Sequence, residues 1–381
     1  MKEITFFDLK KFSIDSCQLV DIRDEGSVIY GMLPEAINIP LFQFEKNYDE
    51  CLNLLDKSKT IIIYCQRGEK SKDVAVRLEE QGFDCYSLAG GYNAVLMDSI
   101  QNENDDECKA KAEESIRKKF HKQLFSPFAK ACKTYELIQD GDHIAVCISG
   151  GKDSMLMAKL FQEIQKHKKV LFKLTFLVMD PGYNKENRAL IESNAKKLGI
   201  PITIFESTIF DAVDTVEKSP CYLCARMRRG HLYSKAKELG CNKIALGHHY
   251  DDVIETILMA MLHGAQIQTM MPKLHSTNFD GMELIRPLYL VREEDICKWR
   301  DYNELHFLQC ACHFTETCST CHEDGTTSSK RLETKKLIAK LKENNPYIEG
   351  NIFKSVENVN LNTIISYKKD GVKHHFLDEY E

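Results

Sequence analysis

The chain has 381 residues, 51 Lys and Arg against 57 Asp and Glu, and a net charge of -6. That length suggests two or three domains, its 43% hydrophobic content supplies globular cores, and its acidic balance excludes a generally basic nucleic-acid binder, so any RNA contact needs a local patch. No apolar run reaches the roughly 18 residues of a membrane span, and the opening Met-Lys-Glu-Ile-Thr-Phe-Phe lacks the small-residue cleavage site of a signal peptide, so a cytoplasmic location is expected. Fifteen cysteines in a reducing compartment point to metal ligation or thiol chemistry rather than disulfides.

Residues 1–98 read as one α/β unit. Leu19–Asp24 is a strand ending in charge, Ala36–Leu41 follows, and Thr60–Tyr64 is a buried strand that stops at Cys65. A helix is predicted from Asp73 to Gln81, then a strand over Phe83–Leu88 before Gly90-Gly91-Tyr92. A cysteine between a strand end and a helix start lies among backbone N–H groups that stabilise a thiolate or a persulfide anion. Gln66, Arg67, Gly68, Glu69, Lys70 and Ser71 complete that loop, with Arg67 and Lys70 adding positive field. V-D-I-R-D, P-E-A-I-N-I-P-L, C-Q-R-G-E-K-S and L-A-G-G-Y occur in the order of a single-domain rhodanese, which the unit resembles. The resemblance implies that Cys65 carries sulfur as a persulfide cradled by residues 65–71. One departure is Gly31-Met32-Leu33, where that family commonly has Gly-His-Ile; the histidine is not the nucleophile. Cys17, Cys51 and Cys85 have no comparable setting and read as small packing residues.

Residues 99–140 form a connection. Gln101–Glu107 is polar and acidic without an apolar period and reads as a flexible tether. Beyond Cys108, Ile116, Phe120, Leu124, Phe128 and Cys132 recur every four residues as in a helical segment, and Asp140-Gly141-Asp142 turns the chain.

From residue 141 to 381 strands and helices alternate: strands at Ile144–Ile148, Leu171–Met179, Ile202–Phe205 and Lys243–Leu246, and helices at Arg188–Leu198 and Leu232–Leu239. That alternation predicts a doubly wound parallel sheet whose ligand sits beyond the strand C-termini, where residues 149–154, Asp180 and residues 247–252 converge. Ser149, Gly150, Gly151, Lys152, Asp153 and Ser154 follow the first strand and open a helix, an arrangement whose backbone N–H groups and dipole hold phosphate. Asp153 is unusual in an anion cradle and is assigned to Mg²⁺ or to the reaction. The spacing is neither that of a Walker A loop nor G-x-G-x-x-G. Gly247-His248-His249-Tyr250-Asp251-Asp252 then leads into a helix with Glu255 and Thr256, a cluster suited to binding Mg²⁺, orienting a nucleotide or moving protons.

Cys221 and Cys224 form a C-x-x-C against Arg226, Arg228 and Arg229. The spacing alone permits a redox pair, zinc or iron–sulfur. Cys310, Cys312, Cys318 and Cys321 lie downstream in a cysteine-rich stretch over 310–321 and would themselves suffice for a zinc site. The arginines are candidate phosphate anchors for RNA. S-G-G-K-D-S is the signature loop of the PP-loop ATP pyrophosphatases, and with G-H-H-x-D-D-x-x-E-T, C-x-x-C-x-R-x-R-R-G, Ile285–Leu288 and Val291–Ile296 the region from about 120 to 360 resembles the tRNA 2-thiocytidine synthetases. The resemblance implies ATP bound at residues 149–154, Gly247, His248 and Asp252, with Mg²⁺. It implies adenylation of a tRNA cytidine at position 32 and a [4Fe-4S] cluster on Cys221, Cys224 and a third cysteine. Counting forward from Asp295 favours Cys310 as the third, and counting back from Ser329 favours Cys318; Cys310 is the residue adopted. The whole chain then reads as a tRNA-thiolating enzyme fused to its sulfur carrier, supplied by an upstream donor such as a cysteine desulfurase. A homodimer would extend the arginine patch across two subunits.

Overall fold

Two parallel sheets carry the first of two compact units in the computed structural model, which describes residues 2–13, 16–29, 31–101, 105–207, 209, 220–307, 330–378 and 380. That unit comprises 1–250 and 271–328. Its first sheet contains β1 (Lys2–Ile4), β2 (Cys17–Asp21), β3 (Ile37–Asn38), β4 (Thr60–Tyr64) and β5 (Cys85–Leu88), in the order β1-β5-β4-β2-β3. All pairings are parallel. Ile61 to Tyr64 are fully buried, as expected for a central strand covered on both faces.

The second sheet holds β6 (His143–Ile148), β7 (Lys173–Asp180), β8 (Ile202–Glu206), β9 (Lys243–Ala245), β10 (Lys273–His275) and β11 (Glu283–Ile285), ordered β10-β11-β9-β6-β7-β8. Only the edge strand β10 runs antiparallel among the pairings described. β6 lies between β9 and β7, so the chain after β6, Gly247 after β9 and Asp180 at the end of β7 emerge side by side, as the alternating pattern predicts.

Several boundaries differ from the sequence expectation. The helix expected from Asp73 starts at Lys70 (Lys70–Glu80), directly on the cysteine loop. The helix expected from Leu232 starts at Pro220 (Pro220–Glu238), which puts the C-x-x-C on a helix; proline at a first helical position loses no intrahelical bond. Asp105, Asp106 and Glu107, expected in a flexible tether, form the first turn of the Asp105–Arg117 helix, where their charge complements the helix dipole. That helix is fixed by Glu113, which meets Lys159, Lys166 and Arg117 each at 2.8 Å. A π-turn at His121–Phe125 follows, then a helix at Ser126–Thr134. The π-turn explains the four-residue apolar period. A step of four residues overshoots an α-turn by about 40°, and a π-turn takes up the excess, so Ile116, Phe120, Leu124, Phe128 and Cys132 are all buried.

One apolar cluster of this unit crosses both of its halves. Ile4, Leu33, Tyr64, Leu88, Tyr92 and Val95 from the first half join Ile116, Phe128, Trp299, Leu305 and Phe307 in one apolar cluster. The second compact unit comprises 251–270 and 329–381. It holds most of the Tyr250–Gly264 helix, the Lys330–Asn344 and Ile348–Ser355 helices, and a hairpin of β12 (Ser366–Lys369) and β13 (Val372–His375). His374 lies on that hairpin, stacked on Tyr367 with ring centroids 4.8 Å apart.

Candidate functional site

Cys65 sits directly after β4 and is 7% exposed. Its Sγ accepts from the Gly68 N–H at 3.1 Å and lies 3.5 Å from Ser71 Oγ, which is 2.9 Å from Ser87 Oγ. Arg67 and Lys70 are exposed at the rim. The sulfur thus has an N–H and a hydroxyl within reach at the edge of an apolar cluster, donors from which a persulfide anion can accept. The loop is closed from the other side by Gly91, where a Cβ would lie 2.3 Å from the Cys65 carbonyl oxygen and 2.5 Å from the Gly68 nitrogen. The glycine pair after β5 is therefore part of the cradle. Behind it, Gln66 Nε2 donates to Asn93 Oδ1 at 2.6 Å, and Arg23 donates to Gln66 Oε1 at 3.3 Å while paired with Asp21 at 2.6 Å. The remaining cysteines of this half differ. Cys17, Cys51 and Cys85 are buried, and burial pushes the Cys85 thiol up to about 12, which leaves it an inert packing group.

The nucleotide loop follows β6. Ser154 Oγ accepts from the Ser149 N–H at 3.1 Å and donates to the Gly151 carbonyl at 3.0 Å, tying the turn to the Lys152–Lys166 helix that starts there. Lys152 is 1% exposed. Its Nζ pairs with Glu293 at 3.0 Å and with Asp153 at 3.2 Å, and His249 Nε2 stands 3.9 Å from the same Glu293 oxygen. Glu293, 141 residues away from Lys152 in sequence, is a site residue that sequence spacing missed. It lies within Val291–Ile296, but no local pattern signals the contact. Gly247 closes on the loop, since a Cβ there would lie 3.2 Å from the Ser154 nitrogen.

Asp180, expected at the convergence, is 5% exposed at the end of β7. It accepts from the N–H groups of Gly182 and Tyr183 at 2.9 and 2.7 Å and from Arg188 at 3.1 Å, so it shapes the turn after the strand. Tyr183 in turn accepts from Arg228 at 3.3 Å. Arg228 is thereby anchored beside the strand ends, while Arg226 and Arg229 are exposed. Asp252 and Glu255 belong to the second unit, where Arg331 holds them at 2.6 and 3.7 Å.

Cys221 and Cys224 occupy positions three apart at the start of the Pro220–Glu238 helix, a spacing that puts both on one face. Their side chains, and the whole of Cys310 with the cysteine-rich stretch, lie outside the described residues. Among the described residues no helix is long and apolar enough to cross a membrane.

Comparison with known proteins finds two families in the chain. The family described as a PP-loop domain matches residues 115–312, and that described as a rhodanese-like domain matches residues 8–98. A tRNA-cytidine(32) 2-sulfurtransferase of Ralstonia pickettii is 36% identical over 251 residues, which are 63% of this chain and 75% of the relative. The protein of that name from Geobacter sulfurreducens is 31% identical over 242 residues, 63% of this chain and 90% of the relative. Among solved structures, the U34-tRNA thiolase of Methanococcus maripaludis with its [4Fe-4S] cluster is 22% identical, with a TM-score of 0.48, over 62% of this chain and 79% of its own.

Proposed function

The chain belongs to the PP-loop family, among the ATP-dependent tRNA 2-sulfurtransferases, and on that premise we propose that it converts a tRNA cytidine, at position 32, to 2-thiocytidine with sulfur carried on Cys65. The observation that carries this reading is the 36% identity to a tRNA-cytidine(32) 2-sulfurtransferase over 251 residues. In the reaction proposed, the ATP phosphates occupy the loop from Ser149 to Ser154, with Lys152 as their cation and Gly247 and His248 beside them. Asp153 Oδ1 is buried and makes no hydrogen bond, its nearest charge being the Lys152 ammonium. It is thus a fit for Mg²⁺, which binds through one or two carboxylates together with substrate phosphates.

The base O2 attacks the α-phosphorus and the bond to pyrophosphate breaks. The adenylated oxygen is then a good leaving group. Sulfur adds at C2, the C–O bond breaks, and AMP departs with the oxygen. The terminal sulfur of a Cys65 persulfide is two electrons above the level needed, so a second thiol supplies those electrons and ends in a disulfide. Cys221, Cys224 and Cys310 are the residues proposed to hold a [4Fe-4S] cluster, and the helical spacing of the first two fits a shared cluster. When bound, the cluster would supply an open iron position able to hold sulfur. Arg226, Arg228 and Arg229 take tRNA phosphates. Upstream, the donor that loads Cys65 is a persulfide-forming enzyme such as a cysteine desulfurase.

The test is thiolation by the purified chain with ATP, Mg²⁺, unmodified tRNA and a thiol reductant, with thiosulfate as the only sulfur source. Cys65→Ser is expected to keep tRNA-dependent pyrophosphate release and to lose thiosulfate-driven thiolation. Equal thiolation by Cys65→Ser sinks the relay.

A further inference from the structure

The persulfide half does not hang free of the catalytic half; a specific seam joins them. On one side are Ile29, Gly31 and Tyr92. On the other are Cys297, Arg300 and His306. The Ile29 carbonyl accepts from the Arg300 guanidinium and from the Cys297 thiol, the latter at 3.8 Å. Tyr92 Oη lies 2.9 Å from His306 Nδ1, and the two rings meet edge to face with centroids 6.0 Å apart. Gly31 has φ +136°, and a Cβ there would lie 2.4 Å from Tyr92 Oη on its own side and 3.6 Å from His306 Nδ1 across the seam. His306 is held in turn by Asn194, whose Nδ2 donates to its carbonyl at 2.9 Å. Arg300 and Tyr92 are buried.

Both ends of the seam reach chemistry. Tyr92 donates its backbone N–H to the Cys65 carbonyl at 2.9 Å. The Arg23 guanidinium stands 3.8 Å from the Tyr92 ring centre and donates to the Gly31 carbonyl at 2.7 Å. The seam thus lies against the sulfur-carrying loop. On the catalytic side, Glu293, Cys297 and Arg300 share one face of the Glu293–Tyr302 helix, at intervals of four and three residues. Glu293 holds Lys152, so the helix runs from the nucleotide loop to Ile29 in seven residues, about 10 Å of rise. The Cys297 thiol, raised first by burial, also lies within the fields of Lys152 and Asp153.

We propose that Arg300 and His306 are positioning residues that seat the sulfur-carrying half on the nucleotide-binding half, so that sulfur passes within the chain from a docked carrier rather than from a swinging one. The proposal rests on the thiolation reading above. Its chemistry is that reaction unchanged: the terminal S–S bond breaks, C–S forms, and the added thiol supplies two electrons.

The test uses the full chain and two sulfur sources with the same ATP, tRNA and thiol. Free sulfide bypasses the carrier; thiosulfate loads Cys65. In Arg300→Ala and His306→Ala, thiosulfate-driven thiolation is expected to fall at least tenfold, while sulfide-driven thiolation and cyanide-accepting sulfur transfer from Cys65 stay within about twofold. Tyr92→Phe, which removes one hydroxyl and keeps the ring, gives the same pattern in weaker form and guards against misfolding. Equal loss with both sources, or no loss with either, overturns the seating role. If the unmutated chain thiolates tRNA with sulfide but never with thiosulfate, the relay itself fails, and if it thiolates with neither, the thiolation reading fails.

Discussion

Glu293→Gln separates the two tasks that Lys152 performs. Lys152 is almost wholly buried, and Glu293 meets it at 3.0 Å. Removing one partner of a buried pair costs about 3–5 kcal/mol. Asp153 remains 3.2 Å from the ammonium, so the expected loss falls below that range, at about 2–3 kcal/mol. For a chain of this size that is a fall in Tm of about 3 °C. The triphosphate must compete with Glu293 for the same cation. Without that competition ATP binds more tightly, by about tenfold, and ATP with Mg²⁺ raises the Tm of the variant by more than it raises that of the unmutated chain. Scanning fluorimetry across an ATP titration measures both quantities. An unchanged Tm without nucleotide, together with weaker ATP binding, would refute the reasoning, because Glu293 would then serve the nucleotide and not the empty lysine.

Three further outcomes follow from the geometry. Glu113 is held down to about 2, against burial, by its hydrogen bonds and charge pairing with Lys159 and Lys166. A depressed carboxylate stabilises the fold above its unfolded value and loses that contribution as pH falls through the folded one. The shift from 4.5 to about 2 corresponds to about 3 kcal/mol. Glu113→Gln should therefore show a large urea-unfolding deficit at pH 7 that shrinks between about pH 4.5 and 2; a deficit independent of pH would contradict the charge pairing. Gly91→Ala forces a Cβ to 2.3 Å from the Cys65 carbonyl. It should cut cyanide-accepting sulfur transfer at least a hundredfold while ATP binding persists, and normal turnover would show that the loop tolerates the displacement. Cys221→Ala in anaerobically purified protein should lose bound iron and visible absorbance without losing the Tm shift given by ATP; full iron content would remove Cys221 from the proposed ligand set.

What sequence made legible was chemistry placed at strand ends. Cys65 after Thr60–Tyr64 and Ser149–Ser154 after His143–Ile148 could be found because a buried parallel strand announces itself as an unbroken apolar run, and glycine or cysteine just beyond it has few structural uses. Helix starts were harder. Pro220 looks like a break but serves as a first helical residue, and Asp105–Glu107 looks like a tether but forms a first turn. Contacts between distant residues left no local trace. Glu293 on Lys152, Arg300 on Ile29 and His306 on Tyr92 span 141, 271 and 214 residues, and none belongs to a spacing pattern. Polarity in residues 101–107 reads as a tether, whereas the Glu113 pairs that fix the helix opened by Asp105 are tertiary contacts.

Mass spectrometry of nucleosides from tRNA of cells with and without this gene tests the proposed activity most directly. Loss of 2-thiocytidine, mapped to position 32 and restored by the unmutated gene but not by a Lys152→Ala copy, is the predicted result. Unchanged 2-thiocytidine with loss of a 2-thiouridine would keep the adenylation chemistry and contradict the cytidine assignment, and no change in any thionucleoside, in cells without a second such gene, would contradict tRNA thiolation.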